Sequence, residues 1–278
     1  MYRDYFGENA DCLKDKRLFL FDMDGTIYEG EELFEGSLDL LDGIRKIGGK
    51  YVFITNNSSK SVWDYVEKVN RLGIMADEDN FFTSSQATIL YLKENYAGKC
   101  IYCQGTKSLV KELVNEGLNI VTEYSDKAEV ILIGYDTELT FKKIQDSCKM
   151  LQKDIPYIAT NPDYACPVSF GFVPDCGSIC MMYENATGRT PKFIGKPEPT
   201  MINFVREKTG YSKEETVVIG DRLYTDIASG LNADVTTICV LTGEATVEEI
   251  LNGSTKPSYT FDSVKDISKI IASQMGVS

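Results

Sequence analysis

The stretch Arg17-Leu-Phe-Leu-Phe-Asp22-Met-Asp24-Gly-Thr26 decides how this chain is read. A short apolar run that meets a carboxylate abruptly has the pattern of a buried parallel strand at its carboxyl end, because a strand covered on both faces is apolar continuously rather than alternately. Asp22 and Asp24 flank Met23, so at a strand end both carboxylates can face one way while Met23 faces the other. Two carboxylates so close repel, and a hard divalent cation with oxygen ligands relieves the repulsion.

Outward from this stretch the pattern repeats. A helical period at Leu38, Leu41, Ile44 and Ile47 closes at Gly48-Gly49, and the apolar run Tyr51–Ile54 ends at Thr55-Asn-Asn-Ser-Ser59. Helices are predicted over about 61–72 and 85–96. Strand, helix, strand, helix in that order argues for a parallel sheet with helices on both faces. The middle of the chain restates the theme, with strands at Cys100–Cys103, Glu129–Ile133 and Tyr157–Ala159 and helices at Ser108–Glu116 and Thr140–Leu151. From Asn161 to Cys180 a text rich in Pro, Gly and Cys reads as an ordered loop running into a short helix. Beyond Pro191 the first theme resumes, with helix Thr200–Thr209, strand Thr216–Ile219, helix Thr225–Asn232 and strand Thr236–Val240. The economical architecture is an α/β fold: one sheet built from both ends of the chain, with a middle domain inserted.

The 278 residues suffice for one large or two ordinary domains. A net charge of 29 − 42 = −13 disfavours nucleic acid and anionic lipid as partners, since both are bound through clustered Lys and Arg. No window approaches the roughly 18 consecutive apolar residues of a membrane span, and Met1–Arg17 lacks an apolar leader core, so the protein is read as cytoplasmic, without a membrane partner. The eight cysteines are expected to be buried free thiols, and Cys100-Ile-Tyr-Cys103 to be structural, having no second Cys pair or His to complete a zinc site. The chain contains no His. Its chemistry must therefore run on carboxylates, Lys, Ser/Thr or an oxygen-held metal.

Four polar clusters follow strands or open helices: Asp22-Met-Asp24-Gly-Thr26, Thr55-Asn56-Asn57, Gly195-Lys196-Pro197 and Gly220-Asp221-Arg-Leu-Tyr-Thr-Asp226. The carboxyl ends of parallel strands share one edge, so the four can converge on one crevice. Several carboxylates, a hydroxyl, an ammonium and Gly-rich backbone suit a divalent cation and a phosphate. Simpler readings of single clusters fail or weaken. An EF-hand counted from Asp22 would need Gly at position 27 and Glu at 33, which are Ile and Leu. A P-loop would need Gly at 190 and Ser or Thr at 197, which are Thr and Pro. Thr55-Asn-Asn alone reads as a helix cap and Lys196 alone as a surface lysine; the order of all four argues otherwise.

Together these motifs resemble the haloacid dehalogenase superfamily. The long insertion between Thr55 and Lys196, with Ala159-Thr-Asn-Pro-Asp163 inside it, resembles the NagD-like branch, which includes nitrophenylphosphatases and phosphoglycolate and pyridoxal phosphate phosphatases. The resemblance implies a Rossmann-like parallel-sheet core over 1–98 and 191–278 and an inserted α/β C2-type cap over 99–190. It implies that Asp22 is the nucleophile forming an aspartyl-phosphate and Asp24 the general acid and base. Thr55, Asn56, Asn57 and Lys196 would bind phosphate. Mg²⁺ would be held by Asp22, the Asp24 main-chain carbonyl and Asp221, with Asp226 as outer support. Asn161, Asp163, Tyr164 and Cys166 of the cap would meet the rest of a small phosphorylated metabolite: a sugar, nucleotide, glycolate or pyridoxal phosphate, with p-nitrophenyl phosphate as surrogate. A homodimer through the cap is a further partner reading. One departure is Asp175-Cys-Gly177, where relatives tend to carry Gly first. A phosphotransferase using the same aspartyl-phosphate, and a non-catalytic anion-binding protein, are the alternatives.

Overall fold

The computed structural model describes residues 1–168 and 170–275. The chain forms two compact units. Met1–Ile54, Val66–Phe82 and the chain from Lys196 onward make up the first, and Thr55–Tyr65 with Thr83–Gly195 the second.

The first unit is built on a six-stranded sheet in the order Tyr259–Phe261, Thr236–Val240, Thr216–Gly220, Leu18–Phe21, Lys50–Thr55, Phe81–Thr83. The pairings from Tyr259–Phe261 through to Lys50–Thr55 are parallel. All of Leu18–Phe21 is buried, which explains why this central strand is apolar at every position. Phe21 pairs with Ile219 on one side and Phe53 on the other, so the chain leaves all three strands at the same level. That register sets Asp22 and Asp221 on one edge of the sheet. The helix Ser37–Lys46 meets Val264–Ala272 at Gly43, where a Cβ would stand only 3.2 Å from Ile271 Cγ2. The missing side chain permits the close approach.

The second unit carries its own five-stranded parallel sheet, ordered Lys192–Phe193, Tyr157–Ala159, Val130–Ile133, Cys100–Gln104, Asn119–Val121. Its core gathers Tyr102, Ile131, Ile133, Tyr157, Cys176 and Tyr183. All eight cysteines are free, as expected, but only Cys103, Cys176, Cys180 and Cys239 are buried; Cys100, Cys148 and Cys166 are partly exposed and Cys12 is exposed. Among the described residues no helix is long and apolar enough to cross a membrane.

The segment read as a loop with a short helix is more regular than expected. Ala165–Val168 and Gly171–Pro174 pair as an antiparallel hairpin, and a twelve-residue helix, Cys176–Thr187, follows. Pro167 and Pro174 disguise the strands in sequence, yet a two-stranded ribbon consists only of edges, where Pro is tolerated. The helix foreseen at Thr225–Asn232 opens earlier and wider, as a π-helical turn over Leu223–Ile227 that passes into an α-helix at Ala228–Asn232. Single π turns often mark functional sites, and this one carries Asp226.

Candidate active site

In the first unit, a carboxylate just past a strand end, Asp22, and one from the π-helical turn, Asp226, meet one buried ammonium. The Asp22 N–H donates to the Ile219 carbonyl at 2.9 Å, continuing the strand ladder by one residue and fixing Asp22 at the sheet edge. Lys196 Nζ donates to Asp22 Oδ1 at 2.6 Å, to Asp226 Oδ1 at 2.5 Å and to the Ile54 carbonyl at 3.2 Å. Three acceptors match the three hydrogens of an ammonium. Burial alone would lower the basicity of Lys196, but the Asp22 and Asp226 carboxylates outweigh it and hold the group above its ordinary range.

One carboxylate oxygen each from Asp22, Asp221 and Asp226 lie within 4.8 Å of one another. Burial, then the neighbouring Asp22 and Asp226 charges, push the Asp221 carboxyl up to about 7. Asp226 is pushed up to about 6, by burial first, with Lys196 opposing and Asp22 adding to the rise. An all-oxygen cluster in which Asp221 and Asp226 resist ionisation is short of positive charge, and a hard divalent cation such as Mg²⁺ fits that deficit and that donor set. Asp221 is held in place for such a role. The Glu244 N–H donates to its Oδ2 at 2.8 Å and the Thr26 hydroxyl to its Oδ1 at 3.4 Å. Gly25, at φ +84°, passes so close that a Cβ there would stand 2.6 Å from Asp221 Oδ2. Both the left-handed backbone and the contact require glycine.

Asp24 is half-buried at the same edge. Burial raises its carboxyl above the ordinary range, Lys68 opposes the rise, and the Asp22 charge adds to it. Asp226 Oδ2 accepts the Arg222 N–H at 3.1 Å, and the Arg222 guanidinium pairs with Glu244 at 3.0 Å. Sequence reading gave no role to Lys68, Arg222 or Glu244. Arg222 stood inside a quoted motif and could have been singled out for its charge. Glu244 acts through its backbone N–H, which has no sequence signal.

The remaining predicted residues lie in the second unit. Thr55 ends its strand, buried, and its hydroxyl accepts the Asn57 N–H at 3.2 Å. The Asn56 amide donates to Asp163 Oδ1 at 3.0 Å, and Asn57 Oδ1 accepts from the Ser59 N–H and hydroxyl at 2.9 and 2.7 Å. Asn161 is fully buried and donates to Asp175 Oδ1 at 3.0 Å. Asn56, Asp163, Asn161 and Asp175 are thus engaged with one another in pairs, whereas Tyr164 is 59% exposed and Cys166 half-buried. Asp175 also caps the helix Cys176–Thr187 by accepting the Cys176 N–H. The cap accounts for Asp at the position where the sequence departs from its expected pattern. Gly177 follows because a Cβ there would stand 2.1 Å from the Pro162 carbonyl oxygen.

Comparison with known proteins places the chain among hydrolases. A family model described as haloacid dehalogenase-like hydrolase matches residues 19–119, and a second, HAD-hydrolase-like, matches residues 193–267. An acid sugar phosphatase of Staphylococcus aureus is 34% identical over 94% of this chain and 98% of its own length. The 4-nitrophenylphosphatase of Thermotoga maritima superposes with a TM-score of 0.88 at 37% identity, covering 93% of this chain and 98% of that one. NagD of E. coli K-12 superposes with a TM-score of 0.82 at 30% identity, covering 90% and 97%.

Proposed function

Because this chain belongs to the haloacid dehalogenase-like hydrolases and is a phosphatase of their NagD-like branch, we propose that it hydrolyses small phosphomonoesters, sugar phosphates foremost, through an aspartyl-phosphate on Asp22 with Mg²⁺ as cofactor. The observation that carries this reading is the Lys196 ammonium between Asp22 and Asp226, beside the Asp221 carboxylate. The substrate class is taken from the acid sugar phosphatases among its relatives.

A carboxylate attacks a phosphate dianion only where positive charge offsets both anions. Lys196 supplies part of it. Mg²⁺ would be held by Asp22, the Asp24 carbonyl and Asp221, with Asp226 in support, and when bound would neutralise charge on the phosphoryl oxygens. An Asp22 carboxylate oxygen forms the bond to phosphorus as the ester P–O bond breaks, and the departing oxygen takes its proton from Asp24. Asp24 then accepts a proton from water while the water oxygen attacks phosphorus. The bond to Asp22 breaks, inorganic phosphate leaves, and both carboxyls are restored. Burial of Asp24 favours the protonated form that the first step needs. The Thr55 hydroxyl, which accepts the Asn57 N–H and keeps its own hydrogen to donate, would take a phosphoryl oxygen, with Asn56, Asn57 and Lys196 completing the phosphate-binding set. The non-phosphate part of the ester would be met by Asn161, Asp163, Tyr164 and Cys166, the residues that the resemblance to the NagD-like branch assigns to specificity.

The test is phosphate release from p-nitrophenyl phosphate with and without Mg²⁺, for the parent and Asp22→Asn. Parent activity should vanish reversibly with EDTA, and Asp22→Asn should fold yet fall to background with no covalent adduct by mass spectrometry. Undiminished activity after exhaustive chelation, or appreciable turnover by Asp22→Asn, overturns the proposal.

A further inference from the structure

We infer that Lys68 is a positioning residue for Asp24: from the helix Val62–Arg71 it grips the turn that follows the nucleophile and keeps the acid in its working orientation. The inference rests on the reading of Asp24 as general acid.

The turn is a closed unit. The N–H groups of Thr26, Ile27 and Tyr28 converge on the Met23 carbonyl at 3.2, 2.8 and 3.3 Å, and the Gly25 N–H donates back to the Tyr28 carbonyl at 2.8 Å. Asp24 and Tyr28 form an isolated parallel bridge across it. Whatever holds Tyr28 therefore also holds Asp24.

Lys68 addresses both. Its Nζ lies 3.9 Å from the centroid of the Tyr28 ring, within the range of a cation–π contact, and 4.0 Å from Asp24 Oδ2. The Lys68 side chain is only 18% exposed, so water screens these contacts incompletely. One turn further along the helix, Arg71 Nη2 meets both Glu31 carboxylate oxygens at 3.3 and 3.2 Å. Glu31 sits at the tip of the small hairpin formed by Tyr28–Glu29 and Glu32–Leu33. Positions i and i+3 share a helix face, so both cations reach the same loop. The Arg71 pair is exposed on both sides and contributes little strength. Lys68 is the contact that matters.

The contrast with Asp221 explains why Asp24 needs this support. Asp221 is fixed by a backbone N–H and a hydroxyl, whereas Asp24 is nearly half exposed and faces an ammonium at 4.0 Å. An acid must lie along the line to the departing oxygen, and a turn free to rock removes that alignment without removing the acid.

The experiment compares kcat and KM on p-nitrophenyl phosphate, whose leaving group needs little protonation, and on glycerol phosphate, an alkyl ester that needs it. The variants are Lys68→Met, Lys68→Arg, Asp24→Asn and the Lys68→Met/Asp24→Asn double. General acids contribute ~10²–10⁴-fold, so a misaligned one should lower kcat on glycerol phosphate about tenfold and on p-nitrophenyl phosphate about twofold, with KM little changed. Lys68→Arg should restore most of the loss, and Lys68→Met should add nothing once Asp24 is Asn. Equal losses on the two esters, additive losses in the double variant, or a Lys68→Met that behaves as the parent would each overturn the inference. The two readings separate cleanly. If Asp24→Asn discriminates between the esters and Lys68→Met does not, the positioning role alone fails; if Asp24→Asn itself loses equally on both, the acid assignment fails with it.

Discussion

Replacing Asp221 with Asn should make the metal-free protein more stable at pH 8 while abolishing its turnover. The buried Asp221 carboxyl is pushed up from an ordinary 3.8 to about 7, by burial first and then by the Asp22 and Asp226 charges. The sign follows from proton binding: between those two values the folded chain holds a proton that the unfolded chain has lost, so this group makes the fold progressively less stable as pH rises from about 4 to about 7, and the full penalty persists above that. The difference 7 − 3.8, at ~1.36 kcal/mol per pH unit, is about 4 kcal/mol. That figure is already net of the Glu244 N–H bond and the Arg222 attraction, which favour the charged form, so what Asn gives up is only the fit of a protonated carboxyl against that of an amide, roughly 1–2 kcal/mol. A net gain of about 2–3 kcal/mol remains, a rise in melting temperature of roughly 5–10 °C for a domain of this size. At pH 5 the penalty on the parent is only ~1–2 kcal/mol, about what the exchange gives up, so parent and variant should melt together. The assay is thermal melting in EDTA at both pH values, repeated at pH 8 with Mg²⁺, where the parent should recover through ligand linkage and the variant gain less. A variant that melts below the parent at pH 8, or a gap that does not change with pH, would refute the view of this cluster as an under-compensated cation site.

Lys196→Met removes the ammonium that joins Asp22 and Asp226; leaving buried carboxylates unpaired should cost ~3 kcal/mol at pH 8, and less near pH 5.5 where Asp226 can take up a proton. In the same variant, kcat should fall by at least ~10²-fold, the scale for loss of one buried charge-stabilising donor, as measured by phosphate release. Changing Tyr164 and Cys166 should reorder kcat/KM across sugar, nucleotide, glycolate and pyridoxal phosphates while barely touching p-nitrophenyl phosphate; a uniform drop on every ester would assign the loop to stability instead.

The sequence carried the sheet because burial on both faces leaves an unmistakable mark: Leu18–Phe21 is apolar at every position and stops at Asp22, and Thr216–Gly220 stops at Asp221 in the same way. Those two endings, with Lys196 and Asp226, account for most of the charge at the site. Features that depend on backbone atoms or on chance neighbours were hidden. The hairpin Ala165–Val168 and Gly171–Pro174 reads as loop because its prolines occupy edges that need no ladder partner. The Glu244 N–H that fixes Asp221 is indistinguishable in sequence from any other amide. Lys68 is one lysine among many on a helix whose apolar face draws the eye, and only folding sets it over Tyr28. This division has a physical origin. The charged groups that do the chemistry must be specific residue types at strand ends and so are written in the sequence, whereas the groups that aim them can be backbone donors or a long flexible side chain arriving from elsewhere in the chain. A substitution that preserves every motif can therefore still disable the site by moving what stands behind it.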